Sequence, residues 1–107
     1  HPAMAAFLRE RFVTGSHAAA VRNIADLIHA GDVVDALAAT HVPCHVMYGE
    51  RDGTWNQTTQ NDMARRLHTD PIAIPEATHV PMPENVDATA EALAAIFAQV
   101  QATVGRA

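Results

Sequence analysis

The residues with the clearest chemical potential are a carboxylate and an imidazole: Asp52 in "GERDGTW" and His79 in "PEATHVPMPEN". A carboxylate hydrogen-bonded to one imidazole nitrogen fixes the ring's tautomer. The other nitrogen is then free to take a proton from a nucleophile or a water. With an ordinary pKa of about 6.5, histidine can do this near neutrality. Taken singly, each residue has a plainer reading. An Asp-Gly pair usually marks a turn whose aspartate satisfies nearby backbone N–H groups, and a lone loop histidine is ordinarily a surface residue. Glu50 is the competing acid; it stands nearer the preceding apolar run and reads as part of the scaffold.

Other chemistry-bearing residues support less. His41 and His45 flank Cys44 at a spacing that raises the question of zinc. Pro43 lies inside that span, so the two rings do not share a helix face, and too few further ligands are in view; no metal is expected. Cys44 would sit at the start of a strand, the wrong end for a site of this kind, and fits a small buried hydrophobe. Ser16, the sole serine, is best placed to cap a helix. Trp55 and Met82, close in sequence to Asp52 and His79, are the substrate-pocket candidates, with a core contact as the alternative for Trp55. His1, His17, His29 and His68 read as surface or helix-terminal residues, and Asp62 as a solvated helix residue.

The elements that must position the pair follow from periodicity and punctuation. Met4, Phe7, Leu8 and Phe12 recur at helical spacing, with Pro2 in the first turn. Ser16 begins a second helix carrying Ala20, Val21, Ile24, Leu27 and Ile28 on one face and stopping at Gly31. Asp32 is the expected cap of a short third helix through Val33, Val34 and Leu37, which Pro43 forbids from continuing. "CHVMY", Cys44 to Tyr48, is a short apolar run bounded by Pro43 and Gly49, as a buried strand would be. A helix over Asn56 to Leu67, with Met63, Ala64 and Leu67 inward, leads to a second strand, "PIAI", Pro71 to Ile74. The proline-punctuated stretch that follows is expected to lack regular structure. Val86, Ala90, Leu93, Phe97 and Val100 then form a final helical stripe.

Two strands joined through a helix should be parallel with a right-handed crossover, and ligands bind at the carboxyl ends of such strands. Both candidate loops leave those ends. A parallel pair alone leaves strand edges unpaired, so the chain is expected to need more sheet than it contains. The composition, 107 residues with a net charge of −5 and 49% hydrophobic residues, bounds one small globular domain. Dispersed acidic charge without a Lys/Arg cluster argues against nucleic acid as a partner. No stretch suggests a membrane span or a signal peptide, giving a cytoplasmic expectation, and one cysteine permits no intrachain disulfide.

At "VPCHVMYGERD" and "IPEATHVPMPENVDATAEALAAIF" the chain resembles the last third of an α/β-hydrolase-fold enzyme, specifically over Val42 to Val100. The resemblance implies that Asp52 is the triad acid and His79 the triad histidine. It makes Glu84, five residues on, an acidic residue that shapes the loop. Residues 1–41 then correspond to the end of a cap or lid and a lead-in helix, and 42–107 to the C-terminal part of the core. The family order is nucleophile, acid, histidine. No G-x-S-x-G elbow or oxyanion-hole segment is present here, and Ala77 stands where the family often carries glycine two before the histidine. The expected fold is therefore a partial α/β-hydrolase: two parallel strands with flanking helices, completed by another chain or segment. "HPAMAAF", which lacks an initiator methionine, reads as cut from a longer protein. The implied function is hydrolysis of an ester-like bond in a small-molecule substrate, with no organic cofactor or metal, and with this chain inactive by itself. The rival expectation is a non-catalytic half-fold that pairs through its strand edge with itself or a partner.

Overall fold

A computed structural model describes residues 2–104. The chain is mixed α/β: α1 Pro2–Thr14, α2 His17–His29, α3 Val34–Ala38, β1 Met47–Gly49, α4 Gln57–Arg66, β2 Ile72–Ile74, α5 Pro81–Glu84 and α6 Val86–Val104. It divides into two compact units, His1–Asp32 and Val33–Ala107. The division falls after Asp32, so α3 belongs with the strands, where Asp35 accepts a hydrogen bond from Arg66 of α4 at 2.8 Å.

In the first unit the local signals operate as their chemistry requires. Ser16 is the N-cap of α2, its hydroxyl accepting from the Ala19 N–H at 3.3 Å. The apolar faces, however, are uncovered. Neither α1 nor α2 buries a residue, and Val21, Ile24, Leu27 and Ile28 are all more than half exposed. Periodicity forms a helix, but it does not supply the surface against which the stripe would be buried.

In the second unit β1 and β2 form a parallel two-stranded sheet, with Met47 opposite Ile72, Tyr48 opposite Ala73 and Gly49 opposite Ile74. β1 is shorter than the run Cys44–Tyr48 and takes in Gly49, while β2 begins after Pro71, which has no N–H to give to a ladder. Val46, Tyr48 and Ala64 are the centre of the core, with Met63 and Leu67 packed against them. Ile74 and Ala77 are also fully buried. The Tyr48 hydroxyl donates to the Asn61 side chain at 3.0 Å, tying β1 to α4, and Asn56 caps α4 by accepting from the Thr59 N–H at 2.8 Å.

Three sequence expectations are corrected. The N-cap of α3 is Val33 rather than Asp32, and it makes no side-chain capping bond. The proline-rich stretch contains regular structure after all: Pro81 opens the single turn α5, where its fixed φ suits the first helical position. The inward face of α6 is Thr89, Ala92, Leu93, Ile96 and Val100, while Val86, Ala90 and Phe97 are exposed. Apolar residues occur on several sides of this helix, so the stripe that looks most regular is not the one that packs. Among the described residues no helix is long and apolar enough to cross a membrane.

Candidate functional site

The carboxyl ends of β1 and β2 carry the two loops, and backbone bonds join them. The Glu50 N–H donates to the Ile74 carbonyl at 2.9 Å and the Arg51 N–H to the Ala77 carbonyl at 2.8 Å. The Glu50 carboxylate crosses between the loops to accept from the Glu76 N–H at 3.0 Å. Glu76 has a φ of 58°, the left-handed region, which costs a residue with a side chain about 1–2 kcal/mol. The turn therefore places its left-handed residue at Glu76, three before the histidine, and Ala77 does not have a positive φ. The hydrogen bond accepted by Glu50 offsets part of that strain.

Asp52 is held from its own turn. One carboxylate oxygen, Oδ1, accepts from the Thr54 N–H at 2.8 Å and from the Trp55 N–H at 3.4 Å. His79 Nδ1 lies 3.3 Å from both Oδ1 and Oδ2. An ionised carboxylate can only accept, so the proton of a neutral His79 sits on Nδ1 and the Nε2 lone pair is left for a proton transfer. The Asp52 side chain is 4% exposed and that of His79 52% exposed, so the acid is shielded and the base is accessible. The Asp52 pKa lies below the usual aspartate range, chiefly because the Thr54 N–H stabilises its charge; desolvation opposes this and His79 reinforces it.

The histidine loop is pinned at several points. Glu84 accepts both the Thr78 N–H and the Thr78 hydroxyl, the latter at 2.6 Å. Its pKa is lowered by these two bonds, the hydroxyl first. The Asn85 side chain donates to the Pro75 carbonyl at 3.0 Å and caps α6 by accepting from the Ala88 N–H at 3.2 Å. Thr89, only 3% exposed, donates its hydroxyl to the Pro81 carbonyl at 3.1 Å. The Asn85 and Thr89 contacts were not anticipated from the sequence. Asn85, standing immediately before an apolar helical stripe, was legible as a cap, but its reach to Pro75 was not.

The remaining candidates lie elsewhere or stand open. Trp55 and Met82 are 52% and 61% exposed, and the bond that Trp55 makes to Asp52 comes from its backbone N–H. His41, Cys44, His45 and His68 line a cleft of about 440 Å³ with Leu67 and Val100, at the amino ends of the strands and away from the pair. Among the described residues no group of three His, Cys, Asp or Glu side chains could hold a metal ion. Asp62 pairs with Arg65 on its own helix, and His1 lies outside the described residues.

Searches against protein-family models, characterised proteins and solved structures match nothing to this chain. The chemistry of the site thus rests on its own geometry.

Asp52 and Glu84 also set an expected pH response. Both carboxyl groups have lowered pKa values in the folded chain, so their stabilisation is fully present above the unfolded values and is lost as pH falls through the folded ones. Thermal unfolding followed by circular dichroism should give a steady midpoint from pH 7 to about 5, then a decline below about pH 4, where free aspartate and glutamate titrate. Asp52→Asn and Glu84→Gln should each make that decline shallower. Parallel curves for wild type and both variants would contradict the assignment.

Proposed function

We propose that Asp52 and His79 are the acid and the histidine of a hydrolytic triad acting on an ester-like bond in a small-molecule substrate, within an enzyme of the α/β-hydrolase type. A second segment or polypeptide would bring the nucleophile and the oxyanion donors. The observation that carries this reading is the shielded carboxylate with both oxygens 3.3 Å from His79 Nδ1. The nucleophile's hydroxyl proton passes to His79 Nε2 as the oxygen attacks the carbonyl carbon, and Asp52 stabilises the imidazolium that forms. That proton then leaves with the alcohol, and a water activated by the same Nε2 releases the acid. Trp55 and Met82 are exposed apolar side chains that could contact substrate.

The rival, a non-catalytic module pairing through its strand edge, accounts equally for the short sheet and the exposed helices. It gives no reason for a half-exposed imidazole to be aligned on a shielded carboxylate, and the hydrolytic reading is preferred for that reason.

The isolated chain should show no stoichiometric labelling by a fluorophosphonate, because its one serine caps α2. Intact-mass measurement of one adduct per chain would overturn the proposal. If the DNA upstream of His1 encodes a G-x-S-x-G segment, co-expression of the two should give both labelling and hydrolysis of p-nitrophenyl acetate. A folded complex with neither would favour the module.

A further inference from the structure

Packing covers only about half of the His79 side chain. The ring is 52% exposed, and its bonds to Asp52 are long for N–H···O contacts, which are commonly 2.7–3.2 Å. Whether the ring meets Asp52 therefore depends closely on where the backbone sets its Cα. The residue before it, Thr78, is held by one side chain: Glu84 accepts both the Thr78 N–H and its hydroxyl. Glu84 is fixed in turn, since it closes α5, which the Asn85 N–H ties to the Pro81 carbonyl at 2.9 Å. The buried Thr89 hydroxyl anchors the same carbonyl to α6. A continuous path thus runs from α6 through Pro81, Glu84 and Thr78 to the histidine.

We propose that Glu84 is a positioning residue for His79, acting through its two bonds to Thr78; this rests on the reading of Asp52 and His79 as a working pair. A carboxylate suits the clamp because each of its oxygens takes one Thr78 donor and its charge strengthens both bonds. Glu84→Gln keeps the N–H arm through its amide oxygen and can keep the other only as a weaker, neutral bond with the hydroxyl turned to accept from the amide N–H₂. Glu84→Ala loses both arms, and Thr78→Val removes the hydroxyl arm while keeping the N–H arm.

The test reads the imidazole rather than stability. In the isolated chain at pH 9, where an ordinary imidazole is neutral, the ¹⁵N shifts of His79 report which nitrogen carries the proton. The wild type should be mostly protonated on Nδ1. Glu84→Ala should bring the Nδ1–H form from majority to minority, as the ring swings off Asp52 and reverts to the Nε2–H tautomer favoured in water. Glu84→Gln and Thr78→Val should fall between. Unchanged tautomers in all three variants would overturn the role of Glu84, and the two milder variants decide the matter if Glu84→Ala fails to fold. Asp52→Asn separates the two levels of the argument. If it leaves the tautomer unchanged, the pairing itself fails; if it shifts the tautomer and the Glu84 and Thr78 variants do not, only the clamp fails.

Discussion

Asp52→Asn, in a complex where a nucleophile-bearing segment completes the site, is expected to lose roughly 10³–10⁴-fold in kcat for p-nitrophenyl acetate with little change in KM. The size of the loss follows from which carboxylate oxygen is already committed. Oδ1 accepts from the Thr54 and Trp55 N–H groups, and only an oxygen can satisfy both. An asparagine would keep its single oxygen there and present its amide N–H₂ where Oδ2 now stands, facing His79 Nδ1. Oδ1, equally near Nδ1, is already committed to two N–H groups, so the amide favours the tautomer in which Nδ1 accepts, the proton sits on Nε2 and the lone pair needed for general-base catalysis is gone. The overall geometry would be almost unchanged, which is why the effect belongs to kcat. His79→Ala should match it, and the double variant should cost little more than either single one, as expected for groups that act as a unit. Retention of more than a tenth of the activity in Asp52→Asn would show that Asp52 is a turn residue and no more.

The pair was legible in the sequence because it depends on topology rather than on detail. Pro43, Gly49 and the helix between the two apolar runs suffice to predict parallel strands, and parallel strands bring their carboxyl-end loops together. Ser16 was legible for a similar reason, since a cap acts within its own turn; Asn56, expected inside its helix, caps it instead. What the sequence did not disclose depends on partners distant along the chain. The extent of β1 is set by where its partner strand lies, and the inward face of α6 by what lies beneath it. The stripe of α2 predicts a helix correctly while remaining uncovered. Around the site, Glu50 read as scaffold, but its acceptor role for the left-handed Glu76 depends on a residue 26 positions away, and the reach of Asn85 to Pro75 on one 10 positions away. Trp55 drew attention for its indole, yet the contact it makes with the acid comes from its backbone.

Gly49→Ala is expected to destabilise the second unit by about 2–3 kcal/mol, at the upper end for overpacking in a well-packed site. It should also uncouple His79 from Asp52. A Cβ on Gly49 would lie 2.6 Å from the Ala77 carbonyl oxygen and 2.7 Å from its carbonyl carbon, with the Thr78 carbonyl oxygen nearer still. These are backbone atoms, and Ala77 is fully buried, so no side chain can swing aside to make room. Relief requires the histidine loop to move off the end of β1. That movement strains the Arg51 N–H bond to the Ala77 carbonyl and the Glu50 bond to the Glu76 N–H, the same bonds that hold the two loops in register. The first glycine of "GERDG", Gly49, is therefore required by the close approach of another backbone, since its own φ is not positive. Gly53, four residues on, is the control: nothing lies within 4 Å of a Cβ there and its φ is also not positive. Gly53→Ala should be neutral or stabilising by about 0.4–1 kcal/mol through the unfolded chain. Urea unfolding of the two variants should move the midpoints in clearly different ways, with the His79 ¹⁵N shifts altered only in Gly49→Ala. Equal midpoints for the two would mean that the loop tolerates displacement, and that contact with β1 does not hold His79 in place.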